Sequence, residues 1–249
     1  MLDNFAFVLV RPRSPGNIGA AVRAMKNMGL RDLRLVDPAK GPEATIMAVH
    51  ARDLLERAQI HASLDSALSD RTLSVGTTCR YGPYRELGSL REMAPELISL
   101  AASNRVAIVF GPEDTGLTNR ELKLCQRLMT IPAAPEYSSL NLAQAVMVVA
   151  YELMMESAAV PDGAAPELAN TMAIQAMFER MARALIEIGF LPEDNPDHIM
   201  FALRGLFGRS GLRPRELDIL NGIANQMRWF AEGGHMTIAA KRHAGLKLR

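Results

Sequence analysis

The residues best placed to do chemistry lie in three turns, each closing a short apolar run. They are GTTCR at 76–80, FGPEDTGL at 110–117 and IPAAPEYSSLNL at 131–142. All three are rich in backbone donors and small hydroxyls. The third turns through Tyr137, Ser138 and Ser139 into a helix that is apolar almost all the way round. Short polar side chains at a helix entrance have two uses. They cap the first turn by accepting from its orphan N–H groups, or those N–H groups and hydroxyls hold a ligand. Other chemistries are excluded. No G-x-G-x-x-G follows the first strand, and no G-x-x-x-x-G-K-[ST] or G-x-S-x-G occurs. Cys79 and Cys125, and the five histidines, have no metal-ligand spacing. What is left is a pocket for a small, neutral-to-cationic ligand with a flat ring.

The elements that must position these turns follow from periodicity and breakers. Phe5 to Val10 reads as a buried strand stopped by Pro12. Gly16 and Asn17 read as a tight turn before a helix from about Ile18 to Met28, ended by Gly29. Strands are expected at Arg31 to Val36, Gln59 to Ala62, Thr72 to Gly76, Val106 to Phe110 and Leu128 to Ile131. Helices are expected at Ala44 to Ala58 (one or two of them), Ser63 to Leu68, Leu90 to Ala101, from Thr118, and from Asn141 to Glu156. Strands alternating with helices predict an α/β fold with a largely parallel sheet covered on both faces. Such sheets bind ligands at the carboxyl ends of their strands, which is where all three turns fall. The expected division is a first domain at 1–157, a linker at 158–170, a helical appendage at 171–231 and a basic, disordered tail at 232–249.

The chain has 249 residues, 49% of them hydrophobic, enough for a sizeable core. Its net charge of +1 hides an asymmetry. From Phe201 to Arg249 there are nine Lys/Arg and three acids. Such a segment is either a solvated tail or a surface for a polyanion. Four of its arginines, Arg204, Arg209, Arg213 and Arg215, are expected to be exposed. Two cysteines suit a reducing, cytoplasmic setting. The amino terminus reads as a strand rather than a leader, and no apolar run reaches the ~18 residues of a membrane span.

Three patterns carry a family resemblance: NIGAAVR at 17–23, VFGPEDTGL at 109–117 and IPAAPEYSSLNL at 131–142. In this order and spacing they resemble the three motifs of the SPOUT methyltransferases, specifically the TrmH-type ribose 2′-O-methyltransferases and their TrmJ branch. NPDHIM at 195–200, LFGRS at 206–210 and RELDILNGI at 215–223 are similar to that branch's carboxyl-terminal helices.

The resemblance implies a SPOUT fold whose last strands and following helix form a deep trefoil knot, a topology that general rules make very rare. It implies S-adenosylmethionine as cofactor, held by Thr77, Thr78, Cys79, Gly111, Ile131, Ser138, Ser139 and Leu140. It implies no metal. The catalytic set it implies is Arg23, with Asn17, Ser139 and Asn141. Arg23 is either the group that activates the ribose 2′-hydroxyl or, since a guanidinium is a poor base, a group that orients the hydroxyl, binds the adjacent phosphate and stabilises developing charge. Glu113 either orients the loop or Arg23, or is structural. Capping is the alternative for Ser139 and Asn141. Relatives form homodimers with the site at the junction. A helix that is apolar all round fits that arrangement, and burial within one subunit fits it too. The expected partner is tRNA, gripped through phosphates by the appendage and tail. The expected reaction is 2′-O-methylation of cytidine or uridine 32 of the anticodon loop. Methylation of ribosomal RNA or another tRNA position, and RNA binding without catalysis, are the alternatives.

Overall fold

The structure is a computed structural model that describes residues 1–80, 87–158, 166–208 and 211–234. Seven strands form one sheet: β1 (Phe5–Val10), β2 (Asp32–Val36), β3 (Gln59–His61), β4 (Leu73–Thr77), β5 (Leu87–Ser89), β6 (Val106–Phe110) and β7 (Arg127–Thr130). Their order is β3-β2-β1-β6-β4-β7-β5, and every pairing is parallel. Between them run α1 (Pro15–Asn27), α2 (Glu43–Ala48), α3 (Arg52–Glu56), α4 (Leu64–Leu68), α5 (Leu90–Ala101) and α6 (Asn119–Leu124), and α7 (Leu142–Ser157) follows β7. The expected α/β class and parallel sheet are present.

Alternation of side chains along the strands splits the core into two layers. Phe7, Leu9, Val75, Ile108 and Phe110 face α1, α5 and α7. Val8, Val10, Ala107 and Val109 face α4 and α6. Every residue of β1 is buried, as a central parallel strand requires. The rings of Phe7 and Phe110 pack at 5.4 Å between centroids. Gly19 lets α1 and α2 touch. A Cβ there would lie 2.2 Å from the Ala44 carbonyl oxygen, so any side chain would part the helices.

Several boundaries differ from expectation. Gly16 and Asn17 are not a separate turn but the first turn of α1. Ser14 caps it by accepting from the Asn17 N–H, and Pro15 stands at the first helical position, where its missing donor costs nothing. β5 was not expected. Its three residues are too few for a periodic signal, and only pairing with β7 makes them a strand.

The carboxyl-terminal helices are α8 (Thr171–Glu187), α9 (Asp197–Gly208) and α10 (Pro214–Trp229), packed around Ile174, Met177, Phe178, Met181 and Leu185. They dock at the amino ends of β4, β6 and β7. Thr171 N donates to Arg71 O at 2.8 Å, Asn104 clasps Pro166 O and Leu168 N at 2.8 and 2.7 Å, and Arg127 Nε donates to Gly208 O at 3.0 Å. Leu168 and Ala169 are buried, so the described end of the connecting stretch is pinned. Arg204 is not an exposed cation. It donates to Gln175 Oε1 and Lys123 O at 2.7 and 3.2 Å and lies 4.5 Å above the Phe178 ring. Arg213 and Arg215 are exposed; Arg209 and residues 235–249 lie outside the described residues.

Candidate functional site

Because β6, β4 and β7 are neighbours, the turns leaving their carboxyl ends open onto one place. There they enclose a cavity of about 310 Å³. All eight residues expected to hold a ligand line it: Thr77, Thr78, Cys79, Gly111, Ile131, Ser138, Ser139 and Leu140. Phe110, Leu142 and Ala145 add apolar wall, while Arg80, Glu113 and Asp114 bring charge to the rim.

Each turn has its own reason to hold its shape. Thr78 N continues the ladder to Met129 O at 2.9 Å, and Thr77 Oγ1 donates to Val109 O at 3.0 Å, so the first turn is tied to both neighbouring strands. The second folds back on itself. Gly116 N donates to Pro112 O at 2.8 Å with Gly116 at φ +62°, and a Cβ on Gly111 would lie 2.3 Å from Leu117 N. Thr118 and Glu121 then form a capping box for α6, and Arg11 pairs with Glu121 from the end of β1. In the third, Pro135–Tyr137 make one 3₁₀ turn that leaves Tyr137 79% exposed at the cavity's edge.

The capping alternative resolves in favour of Asn141. Its side chain accepts from Ala143 N at 2.9 Å, and Gln144 returns to Asn141 N at 3.3 Å. Ser138 and Ser139 are exposed on the cavity and make no hydrogen bond among the described residues. They are not needed as caps and stand available to a ligand.

Asn141 also joins a network that sequence reasoning missed. Its Nδ2 donates to Asn17 Oδ1 at 3.1 Å, and Asn17 Nδ2 donates to Glu113 Oε1 at 2.7 Å. Glu113 accepts further from Arg13 N and Ser14 N at 2.9 and 3.4 Å. Asn17, Glu113 and Asn141 thus lock the three motifs together, although they lie on three separate segments of the chain. Neither Asn17 nor Asn141 lines the cavity. No local pattern could reveal the contact, because Asn17 and Asn141 are 124 positions apart.

Burial pushes the Glu113 carboxyl up, but the hydrogen bonds from Asn17, Arg13 and Ser14 outweigh it and hold the group below its ordinary range. The network's contribution is therefore complete above the ordinary glutamate pKa of about 4.3. It disappears as pH falls through the lower folded value. Glu113→Gln, which puts an amide where three donors converge, is expected to cost about 1 kcal/mol of stability at neutral pH, with the difference closing in acid. Thermal melts from pH 3 to 7 check this.

Arg23 is exposed on the outer face of α1, makes no hydrogen bond or ion pair among the described residues, and does not line the cavity. The cysteines separate cleanly. Cys79 is exposed on the cavity wall, whereas burial pushes the Cys125 thiol up to about 12. No metal-binding cluster is present among the described residues.

The chain belongs to the SpoU rRNA Methylase family, which matches residues 4–151. Residues 172–238 match a second family, the tRNA methyltransferase TrmJ C-terminal domain. The tRNA (cytidine/uridine/adenosine-2′-O-)-methyltransferase TrmJ of Pseudomonas aeruginosa strain UCBPP-PA14 is 40% identical, over 94% of this chain and 97% of that one. The tRNA (cytidine/uridine-2′-O-)-methyltransferase TrmJ of Salmonella typhimurium LT2 is 41% identical over 90% and 96%. Among solved structures, TrmJ from Z. mobilis ZM4 matches with a TM-score of 0.75 and 32% identity, over 90% of this chain and 98% of that one.

Proposed function

We propose that this chain uses S-adenosylmethionine to methylate the ribose 2′-hydroxyl of tRNA, at cytidine or uridine 32 of the anticodon loop. One observation carries the reading. Three turns close on a single cavity in which Ser138 and Ser139 are left unused by the fold. The names of the relatives that span nearly the whole chain support the substrate. The match of residues 172–238 to the TrmJ C-terminal domain favours tRNA over ribosomal RNA.

The cavity suits the cofactor. Ile131, Leu140, Leu142 and Phe110 offer apolar wall for a flat base, and Thr78, Ser138 and Ser139 offer polar groups for the ribose and amino-acid ends. When bound, the cofactor supplies a sulfonium methyl that is already reactive. What the protein must add is position and charge. Asn17, Glu113 and Asn141 hold the second and third turns against the start of α1. Arg23 orients the 2′-hydroxyl, binds the neighbouring phosphate and stabilises the oxygen as its proton passes to solvent water.

Arg23 reaches a cavity it does not line through a homodimer. Val148, Tyr151 and Met155 form a stripe on the outer face of α7, each between 38% and 49% exposed. α1 packs beside α7 in the same layer. A second copy seated on that layer covers the stripe and sets the partner subunit's Arg23 against this cavity. The chain order supports the knot: β7 inserts between β4 and β5, both earlier in the chain, before running on into α7. The methyltransferase unit is taken as 1–157, with 158–170 as linker, 171–231 as appendage and 232–249 as tail, in a cytoplasmic enzyme. No helix among the described residues is long and apolar enough to cross a membrane.

Alkylation tests the cofactor site directly. Iodoacetamide is expected to label Cys79 and spare Cys125 in the native protein, and saturating S-adenosylmethionine is expected to slow Cys79 labelling at least about tenfold. Unchanged labelling, followed by peptide mass spectrometry, would move the cofactor elsewhere.

A further inference from the structure

We propose that the free end of the helical appendage is a stacking platform for unpaired RNA bases, built on Phe190 and Trp229. The proposal rests on the RNA-methyltransferase reading above. It adds a binding site remote from the cofactor cavity.

The helices α8 and α10 run side by side in the same direction. At their starts, Ala169 N donates to Leu212 O at 2.6 Å. At their ends, Arg228 Nε pairs with the Glu187 carboxylate at 3.0 and 3.2 Å. Residues just beyond Glu187 and just beyond Arg228 therefore share one end of the appendage. The starts are docked on the sheet; this end is not. There the chain displays Ile188 (42% exposed), Phe190 (58%), Trp229 (37%) and Phe230 (52%). The chain holds 8 Phe and 1 Trp, so three of these nine rings lie at one exposed end.

The core does not require this display. Gly189, at φ +74°, reverses the chain after α8 so that Leu191 tucks into the core and Phe190 points out. Phe190 N and Leu191 N both bond Leu185 O, at 2.9 and 3.1 Å, so the outward turn is held in place. Trp229 is also pinned. Gly234 folds back until a Cβ there would lie 2.3 Å from the indole carbons, which covers part of the ring with backbone. Rings held in one orientation lose little entropy on stacking.

The chemistry of the surroundings selects the partner. Arg204 and Arg228 are engaged internally, and the exposed Arg213 and Arg215 lie at the opposite end of the appendage, so Arg183 is the exposed arginine near this end among the described residues. The fifteen residues that follow Gly234 carry Lys241, Arg242, Lys247 and Arg249 and no acid. Aromatic faces tethered to a short basic segment match single-stranded RNA, where bases can stack and phosphates need neutralising. A regular duplex hides its base faces and gains nothing from exposed rings.

Trp229 is the only tryptophan in the chain, so its fluorescence reports on this end alone. The full-length protein is titrated with oligouridine, and separately with duplex RNA of equal phosphate count, at about 0.15 M salt. Oligouridine is expected to quench Trp229 and shield it from acrylamide, and the duplex to do neither. Phe190→Ala is expected to weaken oligouridine binding about tenfold. It should also raise the KM for tRNA without lowering kcat. Trp229→Phe, followed by competition, is expected to retain affinity that Trp229→Ala loses. Three results overturn the proposal. The first is a protein that methylates tRNA while oligouridine leaves Trp229 unchanged. The second is a Trp229 signal that depends on protein concentration, which would mean the end joins two copies. The third is greater acrylamide access in a chain ending at Gly234, which would mean the tail covers the rings. If no RNA is methylated but oligouridine still quenches Trp229, the enzymatic reading fails and the platform stands.

Discussion

Arg23→Ala is expected to lose methyl transfer by about 10²–10³-fold, the usual effect of removing one preorganised donor from a developing oxyanion. S-adenosylmethionine affinity should stay within about twofold, because the side chain contributes to the transition state rather than to ground-state binding. The geometry makes this separation sharp: Arg23 lies outside the cavity and bonds to nothing among the described residues. Its removal disturbs neither the fold nor the pocket. Calorimetry for binding and single-turnover assays for transfer check the two halves. Equal loss of both would place Arg23 in cofactor binding instead.

Gly111→Ala is expected to do the reverse and weaken cofactor binding through the pocket. The added Cβ meets Leu117 N at 2.3 Å and Gly116 C at 2.4 Å. Both neighbours are backbone, so the loop from Gly111 to Leu117 must open. Overpacking of this kind costs about 1–3 kcal/mol, a loss of roughly ten- to a hundredfold in cofactor affinity if the strain falls on the pocket. Gly116→Asn is the control. Its φ of +62° suits asparagine and a Cβ there meets no atom within 4 Å, so the loop should keep its fold and its melting temperature should be nearly unchanged. The two defective chains also test the dimer. Mixed in equal amounts, Arg23→Ala and Gly111→Ala subunits should regain about a quarter of wild-type activity if each cavity uses the partner subunit's arginine, since half the dimers then carry one complete site. No recovery from verified mixed dimers would put Arg23 in its own subunit's site.

Local signals located the cavity more completely than they explained it. The three turns were legible because each follows a strand, and parallel strands deliver their carboxyl ends to one edge; the eight residues within them came from the family resemblance. The start of α1 was misread because Gly16 and Asn17 look like turn residues. Ser14 and Pro15 are the stronger signal, since together they cap and preset a helix. β5 was invisible at three residues. The link from Asn17 through Glu113 to Asn141 depends on three segments meeting in space, which no window along the chain contains. Arg204 was read as exposed because charged residues usually are. It instead lies over Phe178 and against Gln175, where its alkyl stem and flat head both find partners.

The central claim is that the cavity delivers a methyl group to a ribose of the anticodon loop. Its most direct test is transfer from labelled S-adenosylmethionine to unmodified tRNA and, separately, to ribosomal RNA, with the products digested and mapped by mass spectrometry. The expected product is a 2′-O-methylated cytidine or uridine at position 32 of tRNA and none on ribosomal RNA. A ribosomal product with unmodified tRNA, or no product on either, would contradict the account.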